Sequence, residues 1–139
     1  MKQAMIFAAG LGTRLKPLTD RIPKALVRVG NKTLLERVIE ILKDADTDEI
    51  VINVHHFAEQ IRDFLDDHSN FNIDIRISDE SDRLLDTGGG LRKASPLFDG
   101  DNPILIHNVD ILSNVNLNEF YERNKSFKAT LLVSSRKTS

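Results

Sequence analysis

Apolar runs of strand length alternate with apolar positions at helical spacing along most of the chain. Ala4 to Ala9 is apolar without interruption, the pattern of a parallel strand covered on both faces. Thr33 and Glu36 have the spacing of a capping box. Leu34, Val38, Ile41 and Ala45, joined by Leu35, Ile39 and Leu42, then recur on one face of an amphipathic helix. Ile50 to Val54 reads as a second buried strand, and Phe57, Ile61, Phe64 and Leu65 mark the next helix. Ile73, Ile75 and Ile77 alternate with Asp74 and Arg76, so the third strand has one wet face and belongs at a sheet edge. A helix from about Gly88 is stopped near Ser95-Pro96. Ile104 to Val109 forms a fourth strand, Asn116 to Asn124 a short helix and Ala129 to Val133 a last strand.

Strands separated by helices imply βαβ crossovers, hence an α/β fold with a mainly parallel sheet. Ligands in such sheets bind at the carboxyl ends of strands, near a switch in strand order. The site is therefore expected just after Ala9, Val54, Ile77 and Val109. With no repeat, low-complexity tract or linker, residues 1–139 read as a single domain. The sequence stops at Arg136-Lys137-Thr138-Ser139, directly after the last strand, which suggests a domain truncated at its C-terminal end.

Composition narrows the chemistry. The absence of cysteine excludes disulfides, thiolate metal sites and cysteine nucleophiles. A net charge of -2 argues against a general nucleic-acid coat. No apolar run approaches the roughly 18 to 20 residues that span a bilayer, and the N-terminus runs into a glycine turn rather than a cleavable signal. The expectation is a cytoplasmic protein without a nucleic-acid or membrane partner.

The strongest chemical signal follows the first strand: Ala8-Ala9-Gly10-Leu11-Gly12-Thr13-Arg14-Leu15-Lys16-Pro17-Leu18-Thr19, then Pro23-Lys24. Two glycines let the backbone bend tightly and bring its N–H groups against a polyanion. Arg14, Lys16, Arg21, Lys24 and Arg28 set five cations against the single acid Asp20, so positive charge is concentrated beside the glycines. The plain alternative is a glycine turn with solvated basic residues. The Walker spacing is absent, and a dinucleotide fingerprint would need a small residue where Leu15 stands. Thr87-Gly88-Gly89-Gly90, before a helix and after an edge strand, would let a flat ring approach the backbone and offers, at Thr87, a helix cap; the plain alternative is a flexible loop. Asp110 ends the fourth strand, where a carboxylate has little packing value. His55-His56 point opposite ways on an extended chain, which suits hydrogen bonding or capping better than chelation. Asp79, Glu80, Asp82 and Asp86 read as a solvated acidic loop, with a minor role in base or ribose recognition as the alternative, and Asp44, Asp46, Asp48 and Glu49 as surface.

Gly10-Leu11-Gly12-Thr13-Arg14 with Pro17-Leu18-Thr19 and Pro23-Lys24-Ala25-Leu26 resembles the signature of the sugar-1-phosphate nucleotidyltransferases. Val51-Ile52-Asn53-Val54-His55-His56, Asp86-Thr87-Gly88-Gly89-Gly90 and Asn108-Val109-Asp110 follow in that family's order, with Val109 where the family has glycine. Within the family, the chain is most similar to short bacterial enzymes acting on N-acetylmuramate 1-phosphate (uridylyl transfer) or mannose 1-phosphate (guanylyl transfer). The resemblance implies a Rossmann-like three-layer α/β/α fold of the nucleotide-diphospho-sugar transferase type. It implies NMP transfer from an NTP, UTP or GTP, to a sugar 1-phosphate with release of pyrophosphate. Ala8, Ala9, Gly10, Gly12 and Thr13 would meet the nucleotide, with Thr87, Gly88, Gly89 and Asn108. Arg14 and Lys24 would be catalytic, on the β,γ-phosphates and the α-phosphate respectively, and Asp110 would hold Mg²⁺. The family's second metal-binding Asp and most of its sugar contacts lie beyond this chain's last residue, so weak or absent turnover by the chain alone is expected. The competing reading is a non-catalytic nucleotide-binding or sensing module that retains the fold.

Overall fold

Four strands of mostly apolar sequence pair in parallel, because each is followed by a connection long enough to return the chain to the same end of the sheet. They are β1 (Gln3–Phe7), β4 (Glu49–Val54), β5 (Asp74–Asp79) and β6 (Ile104–Asn108), in spatial order β5-β4-β1-β6. Between β1 and β4 lie a two-stranded ribbon, β2 (Arg28–Val29) with β3 (Lys32–Thr33), and the helix α1 (Leu34–Asp44). Helices α2 (Ala58–Asp67), α3 (Thr87–Ala94) and α4 (Leu117–Asn124) complete the computed structural model, which describes residues 1–135. The terminal segment Arg136–Ser139, where the sequence suggested truncation, lies outside the described residues.

Strand alternation divides the core in two. Ala4 and Ile6 of β1 and Ile50 and Ile52 of β4 point to one face, where Leu35, Val38, Ile39 and Leu42 of α1, Ile61 and Leu65 of α2 and Leu117 of α4 bury them. Met5 and Val51 point to the other, against Leu91 and Ala94 of α3 and Phe98. The molecule is thus a three-layer α/β/α sandwich, as the sequence led us to expect. Thr33 caps α1 by accepting a hydrogen bond from the Glu36 amide at 3.1 Å. β5 does lie at an edge, and the chain passes from β1 to β4 and β5 on one side before crossing back to β6 on the other. That reversal opens a crevice at the carboxyl end of β1.

Three expectations are corrected. Ala129 to Val133 is not a strand: no described strand lies beside it, and Leu131 and Val133 stand 86% and 80% exposed. An apolar run without a partner for its backbone N–H and C=O groups has no ladder to join. Glu49 is not on the surface but 2% exposed, because Arg76 of the neighbouring strand reaches its carboxylate at 3.0 Å. Glu80 is fully buried rather than solvated, for the reason given below. Among the described residues no helix is long and apolar enough to cross a membrane.

Candidate functional site

A cavity of about 260 Å³ occupies the crevice. Its walls are Phe7 to Gly10 at the end of β1, Asn53 of β4, Leu84 to Thr87 before α3, Asn108 to Asp110 at the end of β6, and Lys24. Seven of the residues singled out from sequence therefore border one space: Ala8, Ala9, Gly10, Lys24, Thr87, Asn108 and Asp110. Gly12, Thr13, Arg14, Gly88 and Gly89 lie outside its lining.

The loop after β1 is shaped by its second glycine. Gly12 has φ +67°, and a Cβ there would stand 2.7 Å from a Thr19 methyl and 3.2 Å from Lys24 Cβ. The Thr19 hydroxyl donates to the Gly12 carbonyl at 2.6 Å, closing the loop onto the turn Leu18–Asp20. Gly10 differs: nothing lies within 4 Å of its missing Cβ, so its open face is available to a ligand. Thr13 and Arg14 sit exposed in a single 3₁₀ turn, Thr13–Leu15.

Lys24 Nζ meets Asp110 Oδ2 at 2.6 Å across the mouth of the cavity. The hydrogen bond from Lys24, reinforced by the charges of Lys24 and Arg14, holds the Asp110 carboxyl below the usual carboxylate range against the opposing effect of its partial burial. Asp110 is consequently an anion with cations on one side and open space on the other. Val109 borders the cavity yet is only 3% exposed, with its amide bonded to the Phe7 carbonyl at 3.1 Å, so its side chain belongs to the core.

α3 begins differently from expectation. Asp86 occupies the cap position without a side-chain cap bond, and Thr87 is the first helical residue. Gly90 turns inward: its absent Cβ would lie 3.0 Å from Asn53 Nδ2 and 3.1 Å from Glu80 Oε2. His55 makes a hydrogen bond through Nδ1 with the Glu80 carbonyl at 2.6 Å, and His56 packs its ring on Phe57; neither caps α2.

Sequence reasoning gave no site role to Asn53, Leu84 or Leu85, and gave Glu80 and Asp86 only the alternative of a minor one in base or ribose recognition. Asn53 accepts from the Ala8 amide at 2.7 Å and donates to Glu80 at 2.9 Å. A usable signal existed: Asn53 is the one polar residue inside the apolar run Ile50 to Val54. Among the described residues no cluster of three or more His, Asp or Glu side chains could hold a metal by itself. The donor set at Asp110 is one carboxylate, which fits a hard cation such as Mg²⁺ that keeps its waters and shares the oxygens of a bound phosphate.

Comparison with known proteins adds an independent line. The family model described as Nucleotidyl transferase matches residues 3–139. The N-acetylmuramate alpha-1-phosphate uridylyltransferase of Caulobacter vibrioides is 41% identical over 111 residues, covering 78% of this chain and 46% of that protein. Mannose-1-phosphate guanylyltransferase 1 of Arabidopsis thaliana is 35% identical over 136 residues, covering 95% of this chain and 38% of that protein. Among solved structures, HddC from Yersinia pseudotuberculosis complexed with GMP-PN is similar with a TM-score of 0.77 and 28% identity, over 88% of this chain and 54% of that one. The chain spans about half or less of the length of the relatives it matches.

Proposed function

Because the chain belongs to the nucleotidyl transferase family, we propose that its crevice binds a nucleoside triphosphate and serves NMP transfer to a sugar 1-phosphate, giving an NDP-sugar and pyrophosphate. A sugar-1-phosphate oxygen attacks the α-phosphorus in line; the bond to the bridging oxygen breaks, and pyrophosphate leaves with that electron pair. No protein nucleophile is needed, so positioning and charge neutralisation carry the catalysis.

The observation that carries this reading is the Lys24–Asp110 pair at the mouth of a cavity walled on one side by Phe7 to Gly10. It supplies, within hydrogen-bond distance of each other, a mobile cation for the α-phosphate and an anion for a metal. Ala9 and Gly10 offer the phosphates and ribose a backbone wall, with Gly12 and Thr13 beside them. The Ala8 amide is already donated to Asn53, so Ala8 contributes its carbonyl and its small size. Arg14 reaches over the β- and γ-phosphates with its planar fork. Thr87, Gly88 and Gly89 face the base, and Asn108 also meets the nucleotide. Asp110 would hold Mg²⁺, which when bound neutralises phosphate charge. The names of the relatives favour UTP or GTP as donor, and the reading implies a cytoplasmic setting, where such nucleotides are available.

The test is calorimetric titration with Mg-UTP and Mg-GTP, paired with pyrophosphate release in the presence of N-acetylmuramate 1-phosphate or mannose 1-phosphate. Nucleotide binding that weakens about ten- to a hundredfold in Arg14→Ala is expected from loss of a charge-assisted contact. Tight binding with no turnover under any pairing, even in a protein extended to the length of the relatives, would instead favour a sensing module.

A further inference from the structure

Glu80 is a side chain with no exposed surface, no ion-pair partner among the described residues and no place in the cavity lining. Its two oxygens are both used. Oε2 accepts from Asn53 Nδ2 at 2.9 Å, and Oε1 accepts from the Leu85 amide at 3.0 Å. Asn53 in turn accepts from the Ala8 amide at 2.7 Å. A continuous chain of three hydrogen bonds thus joins the glycine loop after β1 to the loop before α3, the two facing walls of the cavity. Gly90 leaves just enough room for it, because a side chain there would press on both Asn53 Nδ2 and Glu80 Oε2.

The direction of the chain determines its members. Both ends are backbone N–H groups, which only donate. One carboxamide passes the hydrogen-bond direction along, so exactly one further group must accept at both of its contacts; among side chains of this reach, that is a carboxylate. We infer that Glu80 is a positioning residue: through Asn53 and Leu85 it sets the separation and register of the two walls, and with them the fit of the nucleotide. For its binding readout the inference rests on the function proposed above.

This logic gives a reciprocal test. Glu80→Gln puts an amide donor against either Asn53 or Leu85, and turning the Asn53 amide over merely moves the conflict to Ala8. Asn53→Asp sets two acceptors face to face. The double variant Asn53→Asp/Glu80→Gln restores every bond with the roles exchanged, since the amide at position 80 donates to the carboxylate at position 53 and accepts from Leu85.

The full chain and these three variants would be measured for amide exchange at Ala8 and Leu85 without ligand, and for affinity toward Mg-UTP and Mg-GTP. Each single variant is expected to accelerate both amides and weaken nucleotide binding by about tenfold or more, and the double variant to return within about threefold of the original. Ile61→Val, a core change on the far face of the sheet, controls for general destabilisation and should move neither readout. A double variant as impaired as the singles, or a Glu80→Gln chain with unchanged exchange and affinity, would overturn the inference. If the single variants do not fold, a folded double variant with the original exchange pattern supports it and an unfolded one overturns it. Failure of the unsubstituted chain to bind either nucleotide would count against the proposed function, while the exchange pattern alone would still decide the role of Glu80.

Discussion

Lys24 and Asp110 are close but partly exposed, with side-chain exposures of 27% and 41%. A pair in that setting contributes about 1 kcal/mol or less to stability, so arriving phosphate and cation can separate it. Lys24→Ala should therefore leave the melting temperature nearly unchanged while, in a protein extended to the length of the relatives, lowering turnover about a hundredfold or more, read from steady-state kinetics beside a thermal melt. Asp79 lends itself to a pH test. Hydrogen bonds from Ser81, then from Arg62, with the Arg62 charge, pull its carboxyl from an ordinary 3.8 to about 2. A carboxyl depressed in the folded state adds stability that is fully present above its unfolded value and is lost as pH falls through the folded one. Asp79→Asn should thus flatten the decline in stability between pH 3.8 and about 2, with a small effect at neutral pH because the group is well solvated. Gly10, Lys24 and Asp110 were legible as candidates that share one cavity, because few packing roles suit them where they stand. Glu49 and Glu80 were not, since a charged residue reads as surface until its partner is known. Their partners, Arg76 and Asn53, lie 27 residues away in sequence and meet them only across the sheet.

At the level of elements, periodic segments carried their own evidence. α1 follows from its cap and its apolar face, and Thr33→Ala should cost about 1 kcal/mol in denaturant unfolding through loss of the bond to the Glu36 amide. The glycine loop is held by one backbone conformation. Gly12→Ala would combine a left-handed φ with a 2.7 Å clash against Thr19, and about 1 to 3 kcal/mol of destabilisation is expected by the same method. Nucleotide affinity should fall with it, because the added Cβ would also press on Lys24 Cβ at 3.2 Å. Ala129 to Val133 shows the limit of apolar pattern: a strand is a relation between two segments, and composition reports only one of them. The start of α3 was misread by one residue for a related reason, as Asp86 and Thr87 are equally good caps by type and only the backbone separates them.

For the whole molecule, the order β5-β4-β1-β6 puts the reversal of chain direction beside β1, and five separate segments deliver residues to the crevice there. Alternation of strands and helices was enough to anticipate a parallel sheet and a site at its carboxyl edge. Which loops face each other across that edge depended on strand order, which no local pattern encodes. The central claim is that this crevice receives a metal-bound triphosphate. Its most direct test is backbone amide shift mapping during titration with Mg-UTP and with Mg-GTP. The account predicts saturable shifts concentrated at Gly10, Gly12, Arg14, Lys24, Thr87 and Asp110 with at least one of the two nucleotides. Saturable binding that left those amides unmoved and shifted another surface would contradict it.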